Sequence, residues 1–113
     1  MIAVPRDLVA AAVLAFVNDA RADLGLEPVS ALAGGERLNP WFCPICRTIG
    51  DGLPRRLQVE FSGTRLRVWR RGTTLIVLQT DAPPVVVAWS EAFDRGQRDG
   101  GLALPANVAR AEP

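Results

Sequence analysis

Between Leu57 and Thr80 the chain reads LQVEFSGTRLRVWRRGTTLIVLQT. Over most of this stretch apolar positions recur every second residue, the period of a half-buried strand. Gly63-Thr64 and Gly72-Thr73 each put glycine at the first central position of a two-residue hairpin, where a type II′ turn requires positive φ. Two such turns predict a three-stranded antiparallel meander with a defined register. Across the first turn Phe61 faces Leu66 and Val59 faces Val68 on an apolar side, while Glu60 faces Arg67 and Gln58 faces Trp69 on a polar side. Continuing the register across the second turn sets Val68 against Val77 on the apolar side, and Trp69 against Ile76 and Arg67 against Leu78 on the other. The third strand departs from alternation. Leu75-Ile76-Val77-Leu78 is apolar on both faces and calls for cover on both, from a helix, from Trp69 or from a second subunit.

Around this sheet the period changes to that of helices. Val9, Val13, Phe16, Val17, Ala20 and Leu24 recur at helical spacing, with Pro5 at the start and Gly25 just past the end, and predict a helix over 5–24 that packs on the sheet. Residues 25–40 form a connector with turns at Glu27-Pro28 and Gly34-Gly35, pinned by Val29, Leu32 and Leu38. A short helix follows Cys43, with Pro44 at its first position and Gly50 as its stop. Phe42, Ile45, Cys46 and Ile49 share its inner face, Trp41 caps it and Arg47 points outward. After the meander, Asp81 near the cap and proline in the first turn open a final helix. The run Val85 to Trp89 also suits a strand, but Val86, Trp89 and Phe93, with Val85 and Ala92, fit one helical face, and helix is the better reading. Ser90, Glu91, Asp94 and Arg95 fall on its polar side and Gly96 ends it. The expectation is an α+β fold: a three-stranded antiparallel β-meander packed with an N-terminal helix, a short cysteine-containing helix and a C-terminal helix. Residues 1–97 form one domain, and 98–113, with Gly100-Gly101, Pro105 and Pro113, an irregular tail.

Composition changes this picture little and charge distribution somewhat more. A chain of 113 residues that is 49% hydrophobic can bury a modest core without staples. Net charge of +1 selects no partner, but residues 1–40 hold three arginines against five acids, and residues 47–71 hold seven arginines against Asp51 and Glu60. Every basic residue is arginine, which suits a GC-rich genome better than selection for guanidinium chemistry. The ten apolar residues Leu8 to Val17 after Arg6, with Ala20-Arg21-Ala22 beyond, allow a signal peptide to be drawn. Asp7 cancels the leading charge and the run is too short to span a bilayer, so an ordinary helix is the better reading and a cytoplasmic location the expectation.

Cys43 and Cys46 stand in a CxxC spacing, which serves redox dithiols and half-knuckles of zinc sites. With no histidine and no second cysteine pair, a metal site would need carboxylates or another subunit, and none is expected. The redox reading rests on Cys43 at the N-cap of the short helix, where free N–H groups favour a thiolate. It lacks the parallel βαβ setting that dithiol oxidoreductases use. The favoured reading makes Cys46 a small core residue. The segments LGLEPVSAL, CPICRTIG and PPVVVAWSEAFDRGQ, across residues 24–97, resemble a group of small uncharacterised proteins of actinobacteria and their phages. That resemblance implies no activity. The group's motif matches Cys43, Pro44 and Arg47 without requiring a second cysteine, which implies a role for Cys43 and Arg47 in closing the turn over the core.

No enzyme template fits: the commonest general base, histidine, is missing, as are P-loop and dinucleotide glycine patterns. Asp51 between Gly50 and Gly52 reads as a turn residue. A non-catalytic interaction module without cofactor is the expectation, and two kinds of partner compete. A protein partner, a second copy or a host protein, would cover the two-sided apolar strand. Alternatively, Arg65, Arg67, Trp69 and Arg71 on one sheet face would offer charge and a stacking plane to nucleic acid. The contact residues expected are Arg65, Arg67, Trp69, Arg71, Ile76 and Leu78, with Cys43 and Cys46 as a possible redox pair.

Overall fold

The computed structural model describes residues 6–34, 41 and 43–95. Elements follow in the order α1 (Arg6–Asp23), α2 (Pro44–Gly50), β1 (Leu57–Phe61), β2 (Arg65–Arg70), β3 (Ile76–Asp81) and α3 (Pro84–Asp94). The fold is α+β, with one antiparallel sheet in the order β1-β2-β3. The first hairpin has the expected register, Val59 opposite Val68, Phe61 opposite Leu66, Glu60 opposite Arg67 and Gln58 opposite Trp69. Its turn is closed by the Ser62 N–H donating to the Arg65 carbonyl at 3.0 Å, with Gly63 at φ +95°.

The second hairpin corrects the sequence expectation. Trp69 does pair with Ile76, but a β-bulge follows and Val68 pairs with Leu78 rather than Val77, and Arg67 with Gln79 rather than Leu78. Gly72 has the expected positive φ of +78°, but it is the second central residue rather than the first, because the Thr73 N–H closes the turn onto the Arg70 carbonyl at 3.1 Å. The bulge resolves a conflict in the pattern. An unbroken ladder would have turned Gln79 inward and Leu78 outward. One extra residue, Val77, sends Leu78 toward the core and sets Gln79 and Asp81 opposite Arg67 and Arg65 on the wet face.

The core lies between the other sheet face and the helices. Val9, Val13, Phe16, Val17 and Ala20 of α1 are buried as their spacing requires, with Leu32, Ile45, Cys46, Ile49, Phe61, Leu66, Val68, Val86 and Trp89. α1 packs chiefly against α2 and α3, α2 packs against β1, and α1 reaches the sheet where the Phe16 ring lies 5.9 Å from that of Phe61. α1 ends at Gly25, φ +77°, with the Leu26 N–H bonded to the Arg21 carbonyl and the Gly25 N–H to that of Ala22, a Schellman stop. α3 is helical through the ambiguous valines. Its N-cap is Pro83 without a side-chain bond, so Asp81 does not cap it and is instead the last residue of β3. Ser90, expected on the polar side, is buried, whereas Glu91 and Arg95 are exposed. Pro5, Leu38, Phe42, Gly96 and the tail lie outside the described residues.

Two polar side chains on α1 do work that apolar spacing did not reveal. Asn18 bonds both the carbonyl and the N–H of Val29 at 2.9 Å, so it acts on the connector as a neighbouring strand would. Arg21 is 5% exposed and has no carboxylate partner among the described residues. Its Nε donates to the Glu27 carbonyl at 2.7 Å, and one terminal nitrogen reaches the carbonyls of Thr48 at 2.7 Å, Ile49 at 3.4 Å and Asp51 at 2.8 Å. A cation at a helix C-terminus satisfies carbonyls that the helix itself leaves open. Arg21 thereby ties α1, the connector and the end of α2 together. Buried Thr48 adds a third tie, donating to the Pro44 carbonyl and accepting from the Ala33 N–H.

Candidate functional site

The polar face of the sheet is built by β2 alternation. With Leu66 and Val68 buried, Arg65, Arg67 and Trp69 must project the other way. Trp69 is half-buried and is not part of the core cluster. The Arg67 guanidinium stands 5.8 Å from the centre of its ring, in cation–π range. Its indole N–H is buried without an acceptor, an arrangement that costs about 1–3 kcal/mol. Arg67 also donates from Nε to Gln79 Oε1 at 3.1 Å, and Arg65 pairs with Asp81 at 3.0 Å. Two of the four residues proposed as a phosphate-binding face are therefore already engaged by β3.

Of the remaining expected contact residues, Arg71 turns toward the β1 edge, donating from Nε to the Arg55 carbonyl at 3.0 Å and from a terminal nitrogen to Gln58 Oε1 at 3.4 Å. Ile76 lies opposite Trp69 at 39% exposure. Leu78 is withdrawn from the site, because the bulge aims it at the core. The structure adds two residues in its place, Leu75 at 53% exposure and Val77 at 47%. With Ile76 they form a run of three consecutive exposed apolar residues at the start of the edge strand, whose outer side has no strand neighbour among the described residues. Sequence pattern had shown the run to be two-sided but not which residue the bulge would eject.

Cys43 is the N-cap of α2, its sulfur accepting from the Cys46 N–H at 3.4 Å, and both free thiols are buried. Trp41 is exposed, and the side-chain cap of α2 comes from Cys43 rather than from Trp41 as expected. A side-chain hydrogen bond from Cys46 lowers the Cys43 thiol below its ordinary range against the opposing effect of burial. The same bond, with burial, pushes Cys46 far up. Thiolate character at Cys43 is thus combined with poor access, and reactivity needs both. In the native protein a chromogenic disulfide reagent is expected to react with both thiols slowly and only as fast as the fold opens. Rapid, stoichiometric reaction of Cys43 would instead favour the redox reading. Among the described residues no cluster of three metal-ligating side chains occurs, and no helix is long and apolar enough to cross a membrane.

No protein-family model, no curated protein and no solved structure matches this chain.

Proposed function

We propose that the domain is a non-catalytic protein-interaction module, acting in the cytoplasm, that docks another chain on the β3 edge. The observation that carries this reading is the run Leu75, Ile76 and Val77, all exposed, at the start of a strand with one side unpaired among the described residues. Open edges offer unpaired backbone groups to an added strand, and soluble domains ordinarily blunt them with charge. Here the start of the edge strand is apolar and the nearest charge on the strand is Asp81, already paired with Arg65. A second copy of this chain is the first partner to test, since strand-to-strand pairing about a two-fold axis needs only one patch.

Light scattering after size exclusion tests this over a range of protein concentration at two salt concentrations. Self-association that persists in salt and is abolished by Val77→Lys is the expected result. A monomer at every concentration would remove the two-fold version. Nucleic-acid binding by the sheet face is the weaker reading, because Arg65 and Arg67 would have to leave Asp81 and Gln79 to reach phosphates. It predicts binding that falls steeply with salt, which an apolar edge does not.

A further inference from the structure

On the opposite edge of the sheet, α2, the loop 51–56 and β1 border an open groove of about 340 Å³, which is not part of the interaction surface proposed above. Three arginines line it, Arg47, Arg55 and Arg71, against one acid, Asp51. The fold explains how they meet. α2 buries Ile45, Cys46, Thr48 and Ile49, so Arg47 is the side chain left facing out. Arg71 is drawn in from the β2–β3 loop by its bonds to the Arg55 carbonyl and Gln58, and its backbone N–H donates to the Arg56 carbonyl at 2.7 Å. Its guanidinium is thus oriented while its remaining N–H donors stay available. The guanidinium groups of Arg47 and Arg55 make no hydrogen bond or ion pair with other described residues. Leu53, Pro54 and Trp41 supply apolar wall beside the charge.

Three guanidinium groups against a single carboxylate around a concave surface favour an anion, and guanidinium geometry suits phosphate oxygens in particular. The volume is at the small end for ligand pockets and fits a small molecule rather than a polymer. We infer that this groove binds a small organic phosphate, its phosphate held by Arg47, Arg55 and Arg71 and its apolar or aromatic body laid along Leu53, Pro54 and Trp41.

Phenyl phosphate, inorganic phosphate and phenol, titrated into the 113-residue chain by calorimetry, test the assignment. Saturable binding of phenyl phosphate, tighter than either fragment, is the expected result. The double variant Arg47→Ala/Arg55→Ala should weaken it by at least about tenfold, as the loss of charge-assisted bonds implies. Arg95→Ala, which removes an exposed charge at the end of α3, should leave it unchanged. Circular dichroism checks that each variant is folded, which their surface positions favour. Absence of saturable binding, phenol or inorganic phosphate binding as tightly as phenyl phosphate, or equal loss in Arg95→Ala would overturn it. Each outcome is independent of whether the β3 edge associates.

Discussion

Replacing Arg21 with alanine is expected to lower the thermal midpoint by more than about 10 °C, the largest effect of any polar substitution in the described fold. The side chain is buried, and its guanidinium serves the carbonyls of Glu27, Thr48, Ile49 and Asp51. Truncation removes charge-assisted bonds and leaves at least some of those acceptors buried and unpaired, for a total cost of about 3–5 kcal/mol. Domains of this size have about 5–15 kcal/mol of stability, so the variant would retain little margin. Arg21→Lys keeps the charge but not the planar fork that reaches both the connector and α2, and should fall between wild type and alanine. Denaturant unfolding of the three proteins checks the order. Equal stability of the alanine variant would show that the helix junction does not depend on this side chain.

Trp89→Ala is expected to cost about 3–5 kcal/mol, the range for removing a large aromatic from a packed core. Trp89 is 2% exposed and stacks on Phe93 with ring centres 5.6 Å apart. Trp69→Ala provides the internal comparison, since Trp69 lies half-buried on the polar sheet face outside the core cluster. Its truncation removes the contact with Arg67 but also an unpaired buried N–H, so the net loss should be about 1 kcal/mol. Chemical denaturation with matched m-values measures both. A larger loss at Trp69 than at Trp89 would contradict the placing of Trp69 outside the core.

The contrast between those tryptophans was legible in the sequence. Trp69 alternates with Leu66 and Val68 in a strand of period two, whereas Trp89 falls on a helical stripe with Val86 and Phe93. The first hairpin was legible for the same reason, because every residue in it obeys one period. The second was legible only as far as Ile76. Four consecutive apolar residues carry no period, and the information that fixed the register lay further on, in Gln79 and Asp81, which find Arg67 and Arg65 only if Val77 is extruded. Of the expected contact residues, Leu78 was lost to the core by that one-residue shift and Arg71 moved to the other edge of the sheet.

The helix junction was not legible from apolar spacing at all. Arg21 and Asn18 interrupt the buried stripe of α1, and a polar residue on such a stripe is ordinarily assigned to the solvent side. The available signal was position: Arg21 follows Val17 by four residues and therefore shares its buried face. Its partners are backbone carbonyls, which carry no side-chain signature. The arginine-lined groove escaped notice for a related reason. Arg47, Arg55 and Arg71 are far apart in sequence and meet only because α2 packs on β1 and the β2–β3 loop folds back toward Arg55.

The claim on which the functional reading rests is that β3 is an open edge closed by another chain, and hydrogen exchange of the segment 75–81 as a function of protein concentration tests it most directly. In dilute protein this segment should exchange faster than residues 65–70 of the central strand, and it should become protected as concentration rises. Slow exchange at all concentrations would contradict the open edge, and fast exchange at all concentrations would contradict its pairing with a second copy.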